Sequence, residues 1–408
     1  MKRVVVTGIG AVTPIGNNAK IFWENAKNGV NGIAPITKFD TSELKAKLAA
    51  ELKDFDINEY LEKGESRKMD PFVQYAMVAT DEALKDSGIL GTVAPERFGV
   101  YYGSGIGGFE TFCEEDAKLI EKGPKRVSPH FIPKLIGNIA AGNIAIKYEA
   151  KGPCVAMVTA CATGTTNIGE AYRAIKHGYA DAMIAGGSEA SITPLAVAGF
   201  VNCMALHTGE DPAKASIPFD KNRSGFIMGE GAGTLILEEY EHAVARGAKI
   251  YAEVCGYGST CDAYHVTAPA PDASGAAAAI KQAITEAEMA EETDVYINAH
   301  GTSTPLNDKT ETLAIKAAYG EENAKKVSIS STKSMTGHML GAAGAVEAIA
   351  AVLALKENIV PPTIGYSEPD EDCDLDYTPN TAKKRDLKAA LSVSLGFGGH
   401  NACVMFKK

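Results

Sequence analysis

The chain has 408 residues, 45% of them hydrophobic and 22% charged, so it is long enough for two or three domains and too apolar to be intrinsically disordered. Its formal net charge of −11 argues against nucleic acid or an anionic membrane as a partner, because an anionic ligand would need a local basic patch. We find no signal peptide, no membrane-spanning stretch and no Cys-x-x-Cys pair, and we therefore expect a reduced, cytoplasmic protein without a metal site.

Short β-branched runs alternate with helical patterns along the chain, which is typical of an α/β fold. The predicted strands are 4–7, 98–102, 155–160, 182–185, 234–237, 251–255, 295–299, 327–331, 391–395 and 402–406. The predicted helices are 72–87, 161–177, 274–288, 309–319 and 338–356.

A weak internal repeat divides the chain. Segments 155–178 and 327–357 both consist of a strand, a short glycine-containing turn and a helix of small residues. A glycine cluster precedes a strand in each half, at 229–233 and at 396–400. We therefore predict a duplicated architecture with halves 1–250 and 251–408.

The loop Gly103–Gly108 follows a predicted strand and fits the pattern Gly-x-Gly-x-x-Gly. A dinucleotide site would also need a helix directly after the loop, a second strand and an acidic residue at its end. The polar stretch 113–122 and Pro124 do not supply these elements. We interpret the loop as a tight turn near a ligand.

Cys161 follows an apolar strand and begins a helix, and this position distinguishes it from the other seven cysteines. Unpaired N–H groups and the positive end of the helix dipole are expected to lower the pKa of such a thiol, because they favour the thiolate. The alternative is a small buried cysteine without chemistry. Position alone leaves these two interpretations open.

Two histidines lie at the ends of predicted strands, where α/β proteins place their active sites. His300 follows strand 295–299, and His338 follows strand 327–331 after Lys333. Glu347 lies in a helix of small residues, where an unpaired charge would be costly to bury, and Lys333 is an available partner. These residues predict a shared site, with structural histidines and an exposed Glu347 as the alternatives.

Four segments in this order resemble the signature motifs of the β-ketoacyl-acyl-carrier-protein synthases, the elongating condensing enzymes of the thiolase superfamily. These segments are Thr159–Gly164, His300–Pro305, Lys333–Gly344 and Gly396–Gly399. The similarity extends over essentially the whole chain, and segments 225–233 and 304–308 are more similar to type II than to type I synthases.

The resemblance implies a thiolase-like five-layer α-β-α-β-α fold with two pseudo-symmetric halves, usually in a homodimer. It implies decarboxylative condensation of an acyl group with malonyl-acyl carrier protein, in fatty acid elongation, without a cofactor. The alternatives are a polyketide-type ketosynthase, a coenzyme A-dependent thiolase, a decarboxylating partner subunit and a non-catalytic carrier-binding module.

The resemblance also implies roles for individual residues. Cys161 would be the nucleophile, and its backbone N–H would form the oxyanion hole with that of Phe397. His300 and His338 would stabilise the enolate. Lys333 and Glu347 would orient His338 and hold the polar network of the site.

The remaining implied roles concern binding. Thr302 and Thr304 would contact the pantetheine arm, Ile106 and Phe200 would line the acyl pocket, and Phe397 would act as a gate.

An acidic carrier protein would need basic residues on this acidic chain. The candidates for docking are Lys63, Arg67, Lys68, Lys125 and Arg126.

Overall fold

The computed structural model describes residues 1–408, and ten strands form one continuous mixed sheet. In chain order the strands are β1 (Val4–Val12), β2 (Phe98–Gly103), β3 (Cys154–Val155), β4 (Ala182–Glu189), β5 (Gly231–Glu239), β6 (Ala252–Cys261), β7 (Val295–Asn298), β8 (Ser328–Ser330), β9 (Ala389–Gly396) and β10 (His400–Lys407). Their order across the sheet is β8-β7-β9-β10-β6-β1-β5-β4-β2-β3. Two small ladders lie outside this sheet and pair Ala34–Pro35 with Leu48–Ala49 and Ile359–Val360 with Lys383–Lys384.

The helices cover both faces of the two half-sheets and also fill the space between them. In chain order they are α1 (Ala19–Lys27), α2 (Lys63–Ser66), α3 (Pro71–Ser87), α4 (Phe109–Lys122), α5 (Phe131–Leu135), α6 (Ile139–Tyr148), α7 (Thr163–Lys176), α8 (Pro194–Asn202), α9 (Tyr240–Ala245), α10 (Ser274–Glu286), α11 (Pro305–Tyr319), α12 (Glu321–Ala324), α13 (Lys333–Thr336) and α14 (Ala343–Glu357). None of them is long and apolar enough to cross a bilayer.

The layers follow from which strands each helix contacts. Helix α3 packs on β1, β5 and β4, and α10 packs on β6 and β10. Helices α7 and α14 contact each other and strands of both half-sheets, so they form the central layer. The predicted five-layer α/β architecture is confirmed.

The sheet repeats its own topology. From the centre outwards, β1-β5-β4-β2-β3 and β6-β10-β9-β7-β8 have the same order and the same parallel and antiparallel pairings. Even the bulges correspond, because the ladders skip Thr7 in β1 and Cys255 in β6. The two halves are therefore related by pseudo-symmetry.

Matched glycines let the outer helices approach the sheet closely. A Cβ added at Gly10 in β1 would lie 2.0 Å from the carbonyl oxygen of Ala79 in α3. A Cβ added at Gly258 in β6 would lie 1.8 Å from the carbonyl oxygen of Ala279 in α10. Both distances are far inside van der Waals contact, so a side chain at either position would push the helix away.

Two predictions from the sequence are wrong. Of the predicted strand 155–160, only Val155 lies in a strand, the two-residue β3, because the chain then turns towards Ala160, whose φ is +50°. The polar stretch 113–122 lies in α4, which begins directly after Gly108. The prediction that no helix follows the glycine loop is therefore wrong. Buried Thr111 in α4 donates to the carboxylate of Asp70, which also caps α3.

Candidate active site

The two halves meet at a cavity of about 410 Å³ that opens to solvent. Cys161 from the first half lines it together with His300 and His338 from the second half. Phe200 and Phe397 form part of the apolar wall of this cavity, with ring centroids 6.4 Å apart. The structure thus brings together a thiol and two imidazoles that are far apart in the sequence.

Cys161 lies in a short 3₁₀ turn that runs into the first turn of α7. Ala160 before it has a φ of +50°, a strained conformation for a residue with a Cβ. The backbone N–H of Phe397 favours the charged form of the Cys161 thiol. Gly396 lies so close that an added Cβ would be 3.3 Å from the Cys161 nitrogen, so the glycine keeps that N–H accessible.

Burial raises the pKa of the Cys161 thiol to about 12, although the charge of Lys333 and the Phe397 N–H both oppose the shift. This direction is opposite to the one expected from the helix terminus. Loss of hydration of the thiolate outweighs the positive groups around it. The Cys161 thiol is therefore neutral at neutral pH.

This state of the thiol predicts a pH dependence. Only the thiolate is alkylated, so the iodoacetamide reaction of Cys161 should accelerate about tenfold per pH unit between pH 7 and pH 10, without a plateau. Peptide mass mapping measures this rate, with the exposed Cys203 and Cys261 as internal references. A plateau near pH 8 would show that the thiol is acidic instead.

The rings of His300 and His338 lie edge to face, with centroids 5.2 Å apart and planes at 87°. His338 also packs edge to face on Phe226, 5.2 Å away. Burial is the main cause that lowers the pKa of both imidazoles well below 6.5, and the Lys333 cation adds to it. Both rings are therefore neutral at neutral pH and can each donate one N–H to a developing negative charge.

Lys333 and Glu347 form an ion pair with both side chains buried. The ammonium of Lys333 donates to Glu347 and to no atom of His338, so its influence on the histidines is electrostatic. The other carboxylate oxygen of Glu347 is buried without a partner. No group of His, Cys, Asp and Glu side chains is arranged to hold a metal ion.

Two residues that the sequence analysis missed hold the loop after β7. The carboxylate of Glu311 accepts the backbone N–H groups of His300 at 2.6 Å and Gly301 at 2.7 Å. The guanidinium of Arg223 donates to the carbonyl oxygens of Thr304 and Pro305. Both side chains are buried, and only their positions in the fold reveal these contacts.

The predicted binding residues divide into two groups. Thr302 and Thr304 line the cavity, and their hydroxyls are 2.9 Å apart. Phe200 lines it as well, whereas Ile106 is 38% exposed and does not belong to the lining. In this chain the acyl-pocket assignment therefore has a geometric basis for Phe200 only.

The five predicted docking residues are exposed and none of them lines the cavity. Lys63, Arg67 and Lys68 lie on and after α2, and Lys125 and Arg126 lie in a 3₁₀ turn after α4. Arg67 borders a second depression of about 340 Å³ that also contains Glu110, Glu114 and Lys134. This surface is mixed in charge and not purely basic.

Residues 1–243 match the family model "Beta-ketoacyl synthase, N-terminal domain", and residues 251–367 match "Beta-ketoacyl synthase, C-terminal domain". The 3-oxoacyl-[acyl-carrier-protein] synthase 2 of Staphylococcus aureus (strain COL) is 53% identical over 408 residues, which are 100% of this chain and 98% of the relative. The enzyme of the same name from Synechocystis is 51% identical over 409 residues, with the same shares covered.

Solved structures agree with these matches. A β-ketoacyl synthase from Burkholderia phymatum superimposes with a TM-score of 0.93 at 36% identity, covering 100% of both chains. A type II polyketide ketosynthase in complex with its acyl-carrier protein, AntDE:AntF, superimposes with a TM-score of 0.90 at 36% identity and covers 100% of this chain and 99% of the other. The chain therefore belongs to the β-ketoacyl synthase family.

Proposed function

We propose that this protein elongates acyl chains in fatty acid synthesis by condensing an acyl group with malonyl-acyl carrier protein. The single observation that carries the proposal is the shared cavity, which joins the Cys161 thiol to two neutral imidazoles at the meeting point of the two halves. The full-length similarity to synthases of fatty acid elongation supports the same chemistry.

In the first step, the Cys161 sulfur attacks the thioester carbon of an acyl carrier. A bond forms between this sulfur and the acyl carbon, and the bond to the carrier's sulfur breaks. The proton of the Cys161 thiol ends on the departing carrier thiol, and a neutral imidazole in the cavity can relay it. The backbone N–H groups of Cys161 and Phe397 stabilise the oxyanion, a kind of contact typically worth about 10²–10³ in rate per donor.

In the second step, malonyl carrier binds and its carboxylate leaves as carbon dioxide. The electrons of the broken carbon–carbon bond form an enolate, whose oxygen accepts one N–H from His300 and one from His338. The enolate carbon attacks the acyl group on Cys161, expels the sulfur and gives a 3-oxoacyl carrier longer by two carbons. One proton from solvent restores the thiol.

The remaining residues have supporting roles in this proposal. Thr302 and Thr304 hold the pantetheine arm at the cavity wall, and Phe200 contacts the acyl chain. The ring of Phe397 moves as a gate, because it lies against Phe200 and next to the sulfur. Burial keeps both imidazoles unprotonated, and the charge of Lys333, which is held by Glu347, adds to this effect.

The partner is an acyl carrier protein, and we place the reaction in the cytoplasm. The basic residues Lys63, Arg67, Lys68, Lys125 and Arg126 steer the acidic carrier to the cavity, although Glu110 and Glu114 reduce the positive potential near Arg67. Ile106 acts as an acyl-pocket residue only if the loop that carries it turns inward, or if a second subunit covers it.

We further propose a homodimer of chains that each consist of halves 1–250 and 251–408. Strand β3 is the edge of the sheet, and its Val155 is 44% exposed. Val158 and Ile146 nearby in sequence are 53% and 80% exposed. An unpaired edge with exposed apolar side chains is suited to pairing with a second copy.

Release of labelled carbon dioxide from malonyl-acyl carrier protein tests the proposed function. The proposal predicts release together with a product two carbons longer than the acyl donor. A thiolase would act on coenzyme A thioesters without releasing carbon dioxide, and a partner subunit would release it without forming the product. Repeated elongation of the same chain to a poly-oxo product would instead indicate a polyketide-type enzyme.

A further inference from the structure

The glycine-rich loop after β2 and the carboxylate of Glu189 form a site with no role in the proposed mechanism. Glu189 ends β4, and its side chain is completely buried. The carboxylate accepts hydrogen bonds from the hydroxyls of Ser104 and Ser191, both at 2.9 Å, and from the backbone N–H groups of Gly105 at 2.9 Å, Gly341 at 3.0 Å and Ile106 at 3.4 Å. No cationic side chain forms an ion pair with it.

Pseudo-symmetry relates this site to the one at Cys161. The 3₁₀ turn 340–342 before α14 corresponds to the turn 160–162 before α7, so Gly341 occupies the position of Cys161. Leu340 has a φ of +45°, as Ala160 has one of +50°. The strand pairings likewise place Glu189 at the end of β4 where Gly396 ends β9.

The two turns differ in the residue at the end of the adjacent strand, which is Gly396 beside Cys161 and Glu189 beside Gly341. Gly396 leaves the N–H of Cys161 unobstructed, since an added Cβ there would lie 3.3 Å from that nitrogen. Glu189 does extend from the equivalent position, and its carboxylate accepts the N–H of Gly341. In the second copy of the site, a carboxyl group of the chain itself thus lies where an oxyanion would bind in the first.

The Glu189 carboxyl group joins the glycine loop Gly103–Gly108 to the turn that follows His338. The backbone of His338 is held on one side by the segment 227–229, through an N–H donated to Ile227 at 2.7 Å and an N–H accepted from Gly229 at 2.9 Å. Three residues later, the contact between Gly341 and Glu189 fixes the other end of the turn. Leu340 lies between these two contacts, and both of them are needed to hold its strained backbone conformation.

We propose that Glu189 is a positioning residue for His338. Its carboxyl group occupies the position that corresponds by pseudo-symmetry to the oxyanion hole at Cys161, and it thereby holds His338 where this side chain can stabilise the enolate. The inference rests on the proposed function, because it assigns to His338 the decarboxylation step. Because Glu189 accepts the N–H groups of Gly105 and Ile106, these two groups of the glycine loop are not free to bind a phosphate.

The test compares two partial reactions in Glu189→Ala: decarboxylation of malonyl carrier and acylation of Cys161 by acyl carrier. Misplacing His338 should slow decarboxylation about 30-fold and acylation less than about threefold, because only decarboxylation needs the imidazole as a donor to the enolate. Glu189→Gln, which keeps an acceptor for the backbone N–H groups, should keep more than about half of the decarboxylation rate.

Glu82 offers a matched control, because its carboxylate also accepts two backbone N–H groups, from Ala11 and Ala19, in a region outside the cavity. Glu82→Ala should lower the melting temperature and leave the ratio of the two rates unchanged. If Glu189→Ala does not fold, Ser191→Ala removes one donor and should lower decarboxylation about threefold relative to acylation.

Addition of formate provides a second readout, since a small carboxylate can occupy the space left in Glu189→Ala. Formate should restore decarboxylation at least about fivefold more than chloride at the same ionic strength. A ratio of rates equal to that of the unmodified enzyme would overturn the inference and leave the proposed function intact. Absence of decarboxylation in the unmodified enzyme would instead overturn the proposed function.

Discussion

Replacement of Cys161 by serine should abolish condensation, with a loss of at least about 10³-fold in the rate of product formation. The hydroxyl has nearly the same shape but a much higher pKa than the thiol, and it is a poorer leaving group when the enolate attacks. Because burial already raises the pKa of the thiol to about 12, the site does not favour an ionised side chain at this position, and a serine hydroxyl would stay protonated. Product formation by mass spectrometry measures the effect.

Cys203→Ser is the matched control, since Cys203 lines the same cavity but is exposed. Its condensation rate should stay within about twofold of the unmodified enzyme. Equal losses in both variants would show that the cavity tolerates no substitution and that Cys161 has no special role. Near-normal condensation by Cys161→Ser would exclude this residue as the nucleophile.

Replacement of His338 by alanine should slow malonyl decarboxylation about 10²–10³-fold, the typical loss when one donor to an oxyanion is removed. Acylation of Cys161 should fall much less, because the N–H groups of Cys161 and Phe397 remain. Decarboxylation by the unmodified enzyme should be independent of pH above 6.5, since the lowered pKa keeps both imidazoles neutral there. Protonation would end this plateau only at lower pH.

The exposed His177 at the end of α7 provides the control, and His177→Ala should decarboxylate at the normal rate. Labelled carbon dioxide and the mass of the acyl-enzyme separate the two partial reactions. If His338→Ala decarboxylates normally, the assignment of the enolate oxygen to this imidazole is wrong. If it loses acylation to the same extent, His338 acts mainly in the first step.

Local patterns in the sequence predict the frame of the fold. Most strands of both half-sheets are short β-branched runs, and α3, α7, α10, α11 and α14 show helical periodicity, so these elements are found where they were predicted, although some of their ends differ by about five residues. The strand predicted at 155–160 fails, because its apolar residues belong to the irregular approach to Cys161. Helices α1, α4, α6, α8 and α9 were not predicted.

Part of the site could also be predicted from local patterns in the sequence. Cys161, His300 and His338 stand out because each comes after a run that predicts a strand, although in the structure the strand before Cys161 ends at Val155 and the one before His338 ends at Ser330. The contacts of Glu311 with His300 and of Glu189 with Gly341 join residues that the sequence gives no reason to pair, because the fold alone brings them together. The raised pKa of Cys161 also depends on burial, which the helix position does not reveal.

A single-turnover experiment tests the central claim most directly. The enzyme is loaded from an acyl carrier, the peptide that carries the acyl group is identified by mass, and labelled malonyl carrier is then added. We predict that the acyl group is found on Cys161 and that one carbon dioxide is released for each acyl group transferred to the 3-oxoacyl product. An acyl group on another residue, or carbon dioxide released without loss of the acyl group from Cys161, would contradict the account.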